Sequence, residues 1–142
     1  MNITSRPSMP RPSLSALPGE AGQLAVYDWA MPASQPLGTV LLVHGLGEHA
    51  GRYGEVAAHL HQWGFAVRAY DQQGHGQSEG LRGDMLRPGS LQADLCRVID
   101  DTRQRPALME TPLILLGHSM GGLVVARTLA EALRPVDAAV LS

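Results

Sequence analysis

One cysteine, Cys96, in 142 residues excludes a disulfide framework and any metal site built from thiolates. Such scarcity fits a reducing compartment best. Charge is equally thin: 11 basic and 13 acidic residues leave a formal net charge of −2, and no basic stripe supplies the electrostatic footprint that a phosphate backbone needs. Nucleic acid is therefore not an expected partner. No segment approaches the ~20 apolar residues of a membrane span, and Met1 to Gly19 holds no apolar run of signal-peptide length. A cytoplasmic protein is expected. Residues 1–19 mix Ser, Pro and Arg without periodicity and read as a disordered leader.

What the chain does contain is a globular balance, 44% apolar against 17% charged residues, and a length suited to one domain. From Gly22 onward, strand-length apolar runs alternate with helical periodicity, the signature of βαβ units feeding a parallel sheet. Gln23 to Met31 reads as one or two early strands. Thr39 to Val43 is a β-branched and leucine run covered on both faces. Arg52 to Trp63 places Val56, Leu60 and Trp63 on one helical face, with Gly64 closing the helix. Phe65 to Tyr70 is the next strand. Ser90 is expected to cap a helix whose Leu91, Leu95, Val98, Ile99 and Thr102 share a face and which Pro106 ends. Leu113 to Leu116 is a short apolar strand, Leu123 to Leu133 a helix, and Val136 to Leu141 a further strand.

Between that apolar strand and that helix lies Gly117-His118-Ser119-Met120-Gly121-Gly122, a G-x-S-x-G motif in the strand-turn-helix context that gives it meaning. A bend this sharp strains the serine backbone, and its flanking glycines avoid collisions with the neighbouring strand and helix. The Ser119 hydroxyl then stands at the carboxyl end of the sheet as a candidate nucleophile. The Met120 N–H and the positive end of the following helix face the charge that builds on a tetrahedral intermediate.

A second donor is expected from the loop after the first central strand, His44-Gly45-Leu46-Gly47-Glu48-His49. That loop with Gly51-Arg52-Tyr53 behind it, the Asp71 to Gly80 loop, and Gly117 to Gly122 are ordered and spaced over Leu37 to Leu141. Together they resemble the monoacylglycerol lipase and lysophospholipase branch of the α/β hydrolases. The resemblance implies a mostly parallel, doubly wound α/β sheet of the α/β-hydrolase fold, with residues 20–142 forming its N-terminal half. It also implies a small-molecule acyl ester substrate, no cofactor, and oxyanion donation by the backbone N–H of Leu46. Membrane contact would be at most peripheral, through a lid lying after Ser142.

The remaining histidines and acids have blander roles available to them. His44, Glu48 and His49 lack the helical spacing of a zinc motif and are interrupted by Gly45 and Gly47, so no metal is expected. His44 and His49 are read as orienting the oxyanion loop, with Glu48 pairing to Arg52 at i, i+4. The Asp71 to Gly80 loop lacks the Lys-Ser/Thr ending of a phosphate cradle, and the resemblance gives Asp71 and His75 a structural role. His59 and His61 read as helix-surface residues, and Arg82-Gly83-Asp84 as a chance match to an adhesion tripeptide.

Chain order poses the largest question. This fold runs Ser, then Asp or Glu, then His, yet all six histidines precede Ser119, and only Glu131 and Asp137 follow it among acids. The expectation is a serine ester hydrolase truncated before its lid and its triad acid and histidine, inactive as these residues alone. A thioesterase or peptidase of the same fold, or a non-catalytic fragment, would share the same motifs. An epoxide hydrolase or dehalogenase would carry a carboxylate at position 119.

Overall fold

The computed structural model describes residues 9–142. Its frame is a single sheet of six strands in the order β1-β2-β4-β3-β5-β6. The strands are β1 (Ser13–Gly19), β2 (Gly22–Asp28), β3 (Thr39–Val43), β4 (Ala66–Tyr70), β5 (Leu113–Gly117) and β6 (Ala138–Leu141). β4, β3, β5 and β6 run parallel, and the β1–β2 hairpin adds antiparallel to the β4 edge. Helix α1 (Gly54–Gln62) follows a 3₁₀ turn at Ala50–Tyr53, α2 (Ser90–Gln104) follows β4, and α3 (Met120–Ala130) follows β5.

The helices lie on both faces of the sheet, so the central strands must be apolar on both sides. β3 shows this residue by residue. Leu41 and Val43 pack with Leu95, Val98, Ile99, Val124 and Val125 of α2 and α3, whereas Val40 and Leu42 pack with Tyr53 and Ala57 on the α1 side. The period-two alternation of a strand delivers successive side chains to opposite layers, and all five residues of β3 are buried.

Several expectations change on contact with the structure. Residues 13–19 are not part of a disordered leader: they form β1, paired from Ser13↔Asp28 to Gly19↔Gly22, while residues 1–8 lie outside the described residues. Pro18 is tolerated because β1 is an edge strand, where a missing N–H breaks no interior ladder. Beyond the hairpin, Glu20 N–H donates to Asp94 of α2 at 2.8 Å and the Glu20 carboxylate accepts from Arg97 at 2.9 Å. The face expected for α1 is also wrong. Val56 and Trp63 are exposed, and Ala57 and Ala58 are the buried pair, because small side chains let the helix settle close to the sheet. Ser90 is the first residue of α2 rather than its cap: Gly89 takes the cap position at φ 86°, and the Ser90 hydroxyl donates to Gln73 instead. α3 begins at Met120, earlier than the apolar periodicity suggests.

One buried charge ties the sheet to α2. Arg68, in the middle of β4 and 1% exposed, bonds Asp28 at 2.6 Å, Asp101 at 2.9 Å and the Thr102 hydroxyl at 2.7 Å. Breaking such a pair leaves partners uncompensated. Arg68→Ala is expected to cost about 3 kcal/mol in chemical denaturation, at the low end for buried pairs because Asp28 and Asp101 keep some hydration. A loss below 1 kcal/mol would show the network to be incidental.

Candidate active site

The elbow is built from backbone before any side chain takes part. Ser119 sits at φ 55°, ψ −120°, a region that non-glycine residues occupy only when their surroundings enforce it. Enforcement is visible on three sides. His118 N–H donates to Val43 O at 3.0 Å, Ser119 N–H to Ser142 O at 2.8 Å, and Gly121 N–H to His118 O at 2.9 Å. The glycines are sterically required: a Cβ on Gly121 would overlap the Val43 carbonyl oxygen, and one on Gly117 would come within 2.5 Å of Gly121 O. Ser119 is left exposed at the carboxyl end of β5. Met120, as the first residue of α3, presents an N–H without an intrahelical acceptor.

The HGLG loop leaves β3 and lies directly against the elbow. A Cβ on Gly45 would stand 3.1 Å from Ser119 Cβ and 3.3 Å from His118 O, so any side chain here would push the two segments apart. His44 secures the loop from beneath. Its Nε2 accepts the Gln72 N–H at 2.9 Å, which leaves Nδ1 protonated to donate to Gly45 O at 2.7 Å, and the Gln72 amide donates in turn to His44 O. The ring is therefore a neutral tautomer fixed by two backbone partners, and burial holds its pKa below the ordinary histidine value. Both nitrogens are committed, so His44 is an orienting group with no lone pair to spare for a metal or for Ser119.

Of the remaining predicted residues, Leu46 and Met120 line one cleft of about 310 Å³ together with His75, Met85, Leu91 and Leu123. Gly47 has open space around it and is needed for its φ of 75° alone. His118 is exposed, its Nδ1 3.3 Å from the Ser142 hydroxyl. His49 does not orient the loop: it is exposed and precedes the 3₁₀ turn without a side-chain capping bond. Glu48 pairs with Gly45 N–H at 2.8 Å and the Tyr53 hydroxyl at 3.1 Å instead of forming an ion pair with Arg52. Asp137 lies at the opposite end of the strands from Ser119, where it accepts the Leu113 N–H at 2.7 Å.

Two contributions escaped the sequence reading in detail. Asp71, fully buried, accepts from Tyr27 at 2.7 Å, Ala50 N–H at 2.7 Å and Gln77 N–H at 2.8 Å, which joins β2, the exit of the HGLG loop and the GHG loop at one carboxylate. Arg82, which belongs to the adhesion-like tripeptide, clamps the carbonyls of Gly76, Ser78 and Gly80. The first was signalled by an acid directly after a buried strand. The second had no sequence signal, because a guanidinium reading main-chain carbonyls leaves no trace in residue type.

Two outcomes follow from this geometry. Gly121→Ala is expected to cost more than the about 1–3 kcal/mol of ordinary overpacking, since backbone must move, whereas Gly47→Ala should cost only the about 1–2 kcal/mol of a left-handed alanine; equal denaturation midpoints for the two variants would contradict the steric account. For His44 the folded-state pKa is depressed, so below about pH 6.5 the unfolded chain takes up a proton that the folded state refuses, and stability falls with falling pH. Urea midpoints at pH 7.5 and 5.5 should show this loss, and His44→Gln should shrink it; an unchanged pH difference in the variant would assign the loss elsewhere.

Comparison with known proteins places this architecture. A family model described as Serine aminopeptidase, S33 matches residues 34–142. The monoacylglycerol lipase of Mycolicibacterium smegmatis is 39% identical over 112 residues, covering 75% of this chain and 38% of that protein. The human monoglyceride lipase is 37% identical over 125 residues, covering 87% and 40% respectively. Among solved structures, the monoacylglycerol lipase of Paleococcus ferrophilus superposes with a TM-score of 0.67 at 35% identity, over 84% of this chain and 42% of that one. The chain thus spans about two-fifths of the length of the curated relatives it matches. With its parallel sheet, strained serine elbow and glycine-lined approach, the chain belongs to the serine aminopeptidase S33 family of α/β hydrolases.

Proposed function

We propose that this chain is the nucleophile-bearing part of a serine hydrolase that cleaves carboxylic esters of monoacyl lipids, such as monoacylglycerols or lysophospholipids. The observation that carries the proposal is Ser119 at φ 55° between β5 and α3, with the HGLG backbone at contact distance. Ser119 attacks the acyl carbon, and the N–H groups of Leu46 and Met120 receive the oxyanion. Donors of this kind are worth about 2.7–4 kcal/mol each when removed. The cleft beside them is largely apolar, lined by Leu46, Met85, Leu91, Met120, Leu123 and Val124, which suits an acyl substrate more than a polar peptide. The names of the relatives support the same substrate class.

A serine hydroxyl needs a histidine base, oriented by an acid. Within these 142 residues every histidine precedes Ser119, and His44 is tied to backbone on both ring nitrogens. We assign the base and acid to sequence following Ser142. Peptide cleavage is the competing activity, favoured by the description of the matched family.

A fluorophosphonate probe is expected to leave residues 1–142 unlabelled, and Ser119-dependent labelling of that polypeptide would overturn the assignment of the base. The product of the gene's full reading frame is expected to hydrolyse monoacyl esters at least 10-fold faster than aminoacyl amides (kcat/KM). Ser119→Ala should lower that activity by at least about 1,000-fold. Faster amide cleavage would select the peptidase, and a reading frame ending at Ser142 would remove the hydrolase proposal.

A further inference from the structure

Glu48 occupies an unusual place for an acid. It stands in the loop expected to bind an oxyanion, where a negative charge opposes the chemistry. Its Oε2 accepts the Gly45 N–H at 2.8 Å and the Tyr53 hydroxyl at 3.1 Å. The Gly45 backbone bonds this carboxylate and runs close to the nucleophile: a Cβ built there would meet Glu48 Oε2 at 2.8 Å and Ser119 Cβ at 3.1 Å. Gly45 therefore has one neighbour that fixes it and one that depends on its position.

We propose that Glu48 is a positioning residue that locks the oxyanion loop, consuming the Gly45 N–H so that the next amide, Leu46, is the one offered to substrate. The inference rests on the hydrolase assignment for its catalytic meaning. A bond from an amide to a carboxylate is charge-assisted and roughly twice as strong as a neutral one, which suits a loop whose neighbouring glycines give it little stiffness of their own. Tyr53, at the end of the 3₁₀ turn, donates to the same carboxylate oxygen, so the loop is closed on itself from Gly45 to Tyr53. The titratable and charged groups facing Glu48 are Arg52 from the same turn and the His118 ring from the elbow. Burial by itself raises the Glu48 pKa, but the Gly45 and Tyr53 bonds, with the smaller pull of the two neighbouring groups, outweigh it and hold the carboxyl below its ordinary value. The same contact, added to burial, pushes the Tyr53 phenol up to about 12. Glu48 is thus ionised throughout the neutral range, and the lock is closed.

The test has one arm that needs turnover and one that does not. In ¹⁵N-glycine-labelled protein, the Gly45 amide shift should titrate with a midpoint below 4.5. That titration should vanish in Glu48→Gln, and the Tyr53 phenol should fall back toward 10. In the full-length enzyme, Glu48→Ala should lower kcat about 10- to 100-fold with KM changed less than twofold. Glu48→Gln, which keeps an acceptor for Gly45, should recover most of that loss. A Gly45 amide indifferent to Glu48, or a Glu48→Ala enzyme with unchanged kcat, overturns the proposal. Failure of the hydrolase assignment is read separately, from Ser119→Ala, and leaves the Gly45 titration standing.

Discussion

The contact between Gly121 and the Val43 carbonyl is the constraint on which the site depends. A helix can start immediately after β5 only if its first turn slides against the end of β3, and nothing larger than hydrogen fits between them. This closeness brings the two loops that matter, one from each strand, into a single place. It also leaves Ser119 no relaxed backbone conformation, so the strain of the elbow is a product of packing by its neighbours rather than of the serine itself. The two glycines and the strained serine form one geometric unit.

Around that unit the protein arranges polar groups in pairs of backbone and side chain. His44, Glu48 and Asp71 each bond main-chain groups, and Glu48 and Asp71 accept a tyrosine hydroxyl besides. Loops that carry chemistry have few apolar contacts with which to hold their shape, and side chains reading the backbone supply what packing cannot. The arrangement explains why these histidines and acids are poor candidates for direct chemistry despite their location. A ring with two fixed partners has no lone pair to offer.

Sequence patterning revealed the central sheet and the elbow because both obey local rules. β3 and β5 are apolar runs bounded by glycine or proline, β4 is an apolar run interrupted only by Arg68, and G-x-S-x-G is meaningful once strand and helix flank it. What stayed hidden depends on partners distant in the chain. β1 carries Pro18 and mostly exposed residues, and it exists because β2 pairs with it. The buried face of α1 is made by Ala57 and Ala58, which hydropathy ranks below the exposed Trp63 and Val56. Glu48 and Arg52 have the spacing of a helical ion pair, but Glu48 precedes a 3₁₀ turn and Arg52 lies within it, where i, i+4 no longer places side chains together.

Arg68 adds a final consequence. Its guanidinium shares the α2 layer with Tyr70, while Val67 and Ala69 on the same strand point to the α1 layer. Sliding β4 by one residue would drive a cation into the hydrocarbon between Val40 and Leu42 and strand Asp28 and Asp101. The buried arginine therefore works as an address: among the ways a short alanine- and valine-rich strand could join this sheet, it admits one alignment, and that alignment sets where the Asp71 loop emerges from the end of β4.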